Sequence, residues 1–133
     1  MGYQMVEQVV APEDFLRLRE ISGLSPRSYE AAVKGLPNSL YGIHILYEGQ
    51  AVAMGRVIGD GAINFEIVDV AVDPEHQGKG LGRQIMEYIM AYLDREAFPR
   101  SYVSLMADVP ALYEKFGFQL SRPKSEGMYW VKK

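Results

Sequence analysis

Gln77-Gly78-Lys79-Gly80-Leu81-Gly82-Arg83 places glycine at every second position between an apolar, strand-like run and a helix-like one. A helix ordinarily opens on a side-chain cap with Asp or Glu in its first turn, because its first amides are unpaired and its N-terminal end is positive. Here both are missing, and the first acid inside the helical pattern is Glu87. Bare amides, a helix dipole and the cations Lys79 and Arg83 then face one way, a combination that binds a phosphate supplied by a ligand. The same glycines would also serve a plain strand-to-helix turn that needs positive φ. Two other phosphate loops are excluded. A Walker A loop needs Ser or Thr after its Gly-Lys, and Lys79 is followed by Gly80. A dinucleotide fold wants a wider glycine spacing and an acid about twenty residues on, where this chain has Pro99 and Arg100.

Upstream, Glu66 and Asp69 interrupt the apolar run from Ile63 to Asp73. An unpaired carboxylate is costly in such a strand, so at least one of them has a partner or a chemical role. In strict alternation Glu66, Val68, Val70 and Val72 share one face and Ile67, Asp69 and Ala71 the other, and a bulge would change the parity beyond it.

The elements that must position these residues follow from pattern. "YQMVEQVV" reads as a strand and "PEDFLRLREISG" as a helix burying Phe15, Leu18 and Ile21, with Pro12 in its first position. "SPRSYEAAVKGLP" repeats that grammar, with Ser25 as its N-cap. Three strands follow, punctuated by Glu48-Gly49 and Asp60-Gly61, as in an antiparallel meander. Leu81, Ile85, Tyr88, Ile89, Tyr92 and Leu93 recur at helical spacing. "SYVSLMA" is a strand, "DVPALYEKF" a short helix ended by Gly117 with Phe118 folding back, and "FQLSRPKSEGMYWVK" a closing hairpin. The predicted fold is a single α+β domain over residues 1–133 with a mixed, mostly antiparallel central sheet flanked by helices, in the order β-α-α-β-β-β-α-β-α-β-β.

Composition bounds the function. With 133 residues, 48% hydrophobic and 23% charged, the chain can build one core. A net charge of -3 argues against holding nucleic acid electrostatically. There is no cysteine, and His44 and His76 form no recognised metal-ligand spacing, so no metal is expected. No run of eighteen apolar residues and no signal-peptide pattern occurs, so no membrane partner is expected and the expected location is cytoplasmic.

The stretch Gln77 to Gly82 resembles the coenzyme A signature of the GNAT superfamily of acyl-CoA-dependent N-acyltransferases: Arg or Gln, two residues, Gly, one residue, then Gly or Ala. It follows "VDVAVDPEH", as in that family, and "LYEKFGF" resembles the second family landmark, a Tyr-bearing helix ending in Gly-Phe. The resemblance implies acetyl-CoA as co-substrate. Backbone amides from Gln77, Gly78, Lys79, Gly80, Leu81, Gly82 and Arg83 would bind its pyrophosphate. The strand from Ile63 to Asp73 would pair with its pantetheine arm, with Val70 supplying an oxyanion-binding amide and Val72 a further contact. It also implies Tyr113 as general acid and Glu66 as base, with Asp69 as the rival base. Many relatives carry an Asn seven residues before the Tyr, where this chain has Met106, with Asp108 the nearest polar substitute. A small amine is the favoured acceptor, chosen by residues 24–38, the middle strands and "SRPKSEGM". A homodimer is a family-based expectation without a sequence feature of its own. The alternative is a non-catalytic acyl-CoA-binding sensor.

Overall fold

The computed structural model describes residues 2–133. Strands β1 (Tyr3–Val6), β2 (Tyr41–Tyr47), β3 (Gln50–Gly59), β4 (Asn64–Val72) and β5 (Tyr102–Ser104) form one sheet in chain order. The first four pair antiparallel and β5 pairs parallel to β4, giving the expected mixed, mostly antiparallel sheet. Helices α1 (Pro12–Ile21) and α2 (Tyr29–Gly35) lie on one face. The long α3 (Leu81–Glu96) covers the other, and α4 (Pro110–Glu114) follows β5.

Glu48 and Gly49 both adopt positive φ, 50° and 80°, the backbone of the two-residue turn that matches strand twist. Asp60 closes the next turn differently: its Oδ1 accepts the amides of Ala62, Ile63 and Asn64 at 2.8–3.1 Å. Those three amides hold its carboxyl below the ordinary range. α3 buries Leu81, Ile85, Met86, Ile89 and Leu93 against Ile43, Ile45, Val57, Phe65 and Ile67. On the opposite face Phe15, Leu18, Ala32 and Leu36 pack on Ala51, Met54 and Ala71.

Three local expectations are corrected. The N-cap of α2 is Ser28, whose hydroxyl accepts the Ala31 amide at 3.1 Å, because Ser25 is held by Arg19 instead. On α1 the buried third position belongs to Arg19, 5% exposed, while Ile21 is 39% exposed. Finally, the expected order holds from β1 through α4, but no closing hairpin forms: residues 119–133 contain no strand and every one is exposed. Two strands alone are marginal in water, and β5 is only three residues long, too short a template for a hairpin within the same chain.

At Gly55, α3 packs directly on the backbone of the sheet. A Cβ there would lie 2.6 Å from Ile85 Cγ2 and 3.1 Å from Ile89 Cδ1. Cγ2 of a β-branched, fully buried side chain has no room to retreat. Gly55→Ala is therefore expected to cost about 1–3 kcal/mol by overpacking. Urea titration checks this, and Gly55→Ala/Ile85→Ala should lose less than the sum of the single changes.

Candidate active site

The glycine stretch joins β4 to α3. After a short 3-10 turn at Pro74–His76, the Gln77 side chain donates from Nε2 to Val72 O at 3.0 Å, tying the loop to the strand it leaves. Gly78 and Gly80 take φ of 79° and 81°, and a Cβ on either would meet nothing within 4 Å. They thus supply left-handed backbone, with open space before it. Gly80 caps α3 without a side chain, and the first turn contains no acid. The first amide bonded within the helix is that of Gln84, to Gly80 O at 3.0 Å, so the amides of Leu81, Gly82 and Arg83 have no partner in the helix ladder. Lys79 and Arg83 are both exposed. Arg83 reaches Glu87 at 3.4 Å, but with side chains 69% and 52% exposed the pair is weak and leaves the guanidinium available.

Beside this loop the sheet opens. β4 and β5 pair only at Asn64–Tyr102, Phe65–Val103 and Glu66–Ser104. β5 stops there while β4 continues to Val72, so from Ile67 onward that edge of β4 has no strand beside it. An open strand edge is a surface for an extended, amide-bearing chain.

The open edge also contains a bulge. Arg56 pairs with Val68 and Met54 with Ala71, so Asp69 and Val70 together oppose the single Gly55. Asp69 takes φ 61°, left-handed for a residue with a side chain. Parity changes across it: Phe65 and Ile67 face the α3 cluster before the bulge, Val70 and Val72 pack on that cluster after it, and Ala71 joins the opposite one.

Asp69 is held from two sides. One oxygen accepts from Arg19 of α1 and the other from Arg56 Nε at 2.6 Å, with the Asp69 side chain 8% exposed. Arg19 also donates to Ser25 O at 2.9 Å and Ser25 Oγ at 3.1 Å. Burial pulls the Arg19 pKa below its ordinary value, and the Asp69 charge opposes that fall. For Asp69, the rival base, this geometry means that both carboxylate oxygens already accept from guanidinium groups. The two arginines were missed in the sequence. The available signal was a cation on the apolar face of each element, Arg19 four residues after Phe15 and Arg56 within "AVAMGRVIG". Glu66, by contrast, has no side-chain hydrogen bond or ion pair among the described residues and is half-buried.

The helix that carries Tyr113 is brought to the same corner through its neighbour Leu112. A Cβ at Gly82 would lie 3.8 Å from both Leu112 Cδ2 and Val72 Cγ2, so α4, the end of β4 and the first turn of α3 meet there. The Gly117 terminator forms as expected: with φ 93°, it lets Phe118 N–H reach Tyr113 O at 3.3 Å while its own N–H reaches Glu114 O at 3.1 Å. Burial raises the Tyr113 phenol above its ordinary value, and the Asp108 charge adds to the shift. Met106 turns instead to the tail, with Gly127 against its thioether. His44 and His76 serve structural bonds, to Gln8 O at 2.8 Å and Tyr3 Oη at 2.9 Å. A cavity of about 600 Å³ lies beyond β5, where Tyr113, Leu105 and Phe118 line it and no residue of β4 or the glycine loop does. No helix of the described residues is long and apolar enough to cross a membrane.

Comparison with known proteins matches this arrangement. Residues 39–120 match the family model for the acetyltransferase (GNAT) domain. A solved protein of unknown function from meticillin-resistant Staphylococcus aureus, described as a probable acetyltransferase, is 44% identical. It superposes with a TM-score of 0.94 over 98% of this chain and 100% of its own. A GNAT-family protein from Streptococcus pneumoniae, 23% identical, shares the fold with a TM-score of 0.81 over 99% of both chains. The chloroplastic GCN5-related N-acetyltransferase 2 of Arabidopsis thaliana is 38% identical over 89 residues, 65% of this chain but only 33% of that protein. The chain thus spans about a third of that plant relative's length. With an uncapped glycine helix start, an open β4 edge and a Tyr-bearing α4 in one corner, and with these matches, the chain belongs to the GNAT family of acetyltransferases.

Proposed function

We propose that the protein transfers an acetyl group from acetyl-CoA to the primary amine of a small molecule. The observation that carries this reading is the continuity of one edge: the unpaired stretch of β4 from Ile67 to Val72 runs directly into the uncapped start of α3. A ligand that is both an extended amide chain and a pyrophosphate fits that edge from end to end. The amides of Gln77 to Arg83, with Lys79 and Arg83, would hold the phosphates, and β4 at Val70 and Val72 the pantetheine.

The chemistry follows from the residues around the bulge. The amine nitrogen attacks the thioester carbonyl carbon, and the Val70 amide, offered by the bulge, donates to the oxygen as it gains charge. The carbon–sulfur bond breaks and the thiolate takes the Tyr113 phenol proton. Glu66, directly or through water, takes the proton lost by the amine. Burial and Asp108 keep Tyr113 protonated through neutral pH, so its proton is in place when the thiolate leaves. Asp69 acts as a positioning residue, fixing the bulge through Arg19 and Arg56.

Acetyl-CoA and coenzyme A, but not NAD, are expected to raise the unfolding midpoint by roughly 10 °C at about a hundredfold excess over Kd. No shift with either would remove the binding site assigned here. Tyr113→Phe should lower kcat by roughly 10²–10⁴-fold while keeping that shift; parallel loss of both would instead favour a sensor or a structural role for the ring. Glu66→Gln should lower kcat by roughly 10²–10⁴-fold at neutral pH with the unfolding midpoint of the free protein unchanged. Asp69→Asn, or the milder Arg56→Lys, should lower kcat and the midpoint of the free protein together, and a loss of kcat with Asp69→Asn at full stability would return Asp69 to the role of base.

A further inference from the structure

Arg27, exposed in the turn between α1 and α2, donates from Nη1 to Ser25 Oγ at 2.7 Å, Pro26 O at 3.1 Å and Ser25 O at 3.4 Å. Arg19 donates to the same two Ser25 atoms, O at 2.9 Å and Oγ at 3.1 Å. Two guanidinium groups therefore share one carbonyl and one hydroxyl. Asp69 joins Arg19 to Arg56, and it is the only carboxylate ion-paired with any of these three arginines among the described residues. Glu13 and Asp14 of α1 are bound elsewhere, to Tyr29 Oη and Arg17. Arg27 and Arg56 both pull the Arg19 pKa further down, as like charges do. A row of three cations and one anion is left with positive charge in excess, in a chain whose net charge is -3. An exposed arginine can swing into water; Arg27 is held against another cation instead, an arrangement suited to an anion taken up from outside.

We propose that Arg27 binds an acidic group on the acceptor, so that the substrates of this protein are small amines that also carry a carboxylate or a phosphate. The inference rests on the acetyl-transfer reading and narrows its acceptor. The row of arginines ends beside the reacting atoms: Arg27, Ser25, Arg19 and Asp69 form one hydrogen-bonded chain, and Asp69 immediately precedes Val70, whose amide is assigned to the thioester oxygen. Glu66 lies on the same face of the sheet, since Phe65 and Ile67 beside it face α3 while Arg56 meets Phe15 of α1. Arg56 opposes Val68 and Ile58 opposes Glu66, so Arg56 and Glu66 are diagonal neighbours roughly 7–8 Å apart. An amine that gives its proton to Glu66 thus has the cations further along the face, toward α1 and α2, where its acidic end offsets their excess charge. Arg19 and Arg56 are committed to Asp69, whereas Arg27 has no anionic partner among the described residues. Its planar fork accommodates a carboxylate or a phosphate through two parallel hydrogen bonds.

The test is thiol release from acetyl-CoA by the full chain with two groups of amines. One group carries an acid: the common α-amino acids, β-alanine and O-phosphoethanolamine. The other does not: ethanolamine, propylamine and phenethylamine. The best acid-bearing amine is expected to exceed every amine without an acid in kcat/KM by roughly 10–100-fold, the worth of a charge-assisted contact. The ratio of O-phosphoethanolamine to β-alanine then tells phosphate from carboxylate. Arg27→Gln should remove the preference by raising KM for the acid-bearing amines alone, with kcat kept, and Arg27→Lys should recover part of it. The unfolding midpoint of free Arg27→Gln should be unchanged or higher, because a like-charge contact is gone. Equal or faster turnover of amines without an acid, or an Arg27→Gln effect of the same size on both groups, overturns the proposal and leaves acetyl transfer standing. No thiol release with any amine of either group overturns the transfer reading itself, and this inference with it.

Discussion

A single carboxylate organises this molecule. Asp69 sits in a left-handed backbone conformation at the one place where β4 gains a residue over β3, and its two oxygens are held by Arg19 and Arg56. The Phe15 ring lies 5.8 Å from each guanidinium, so the three charges are roofed by an aromatic face. Burying such a set adds little net stability, because desolvation offsets most of the attraction. Its effect is positional. Arg19 continues to Ser25, so α1, the turn before α2, β3 and β4 are all referred to one point. Removing the anion leaves two cations facing each other out of water, which is why the bulge does not relax into regular pairing.

The bulge decides what the edge of β4 can do. Its parity change directs Val70 and Val72 toward the α3 side, where they meet the helix start. Gly55 makes this compatible with packing: opposite the two bulged residues, its lack of a Cβ lets Ile85 and Ile89 approach the sheet. The axis of α3 is thereby set against β4, and the unpaired amides after Gly80 lie at the end of the open edge. Electrostatics and packing thus converge, since a helix start with neither cap nor acid is tolerable only where a ligand or water can satisfy it.

At the far side of the sheet the same economy of pairing is incomplete within one chain. β5 is short and covered on one edge only, and the apolar segment from Met128 to Val131 has no place in its own core.

Much of this was legible in the residues. The glycines at 78 and 80, the missing acid before Glu87, the Gly117 terminator and the helical spacing of Leu81, Ile85, Ile89 and Leu93 are local signals, and local geometry realised each of them. The meander was readable because Glu48-Gly49 specifies its own turn. What the chain alone could not decide was which charges meet. Arg19, Arg56 and Asp69 are separated by up to fifty positions, and each looked like an isolated charge in an apolar run. Only the tertiary structure joins them, and with them settles which carboxylate is held and which is free. The same limit explains the misplaced cap at Ser25, drawn away by Arg19, and the absent hairpin. An apolar run records that a segment needs burial, but where it is buried depends on which edges the finished sheet leaves open.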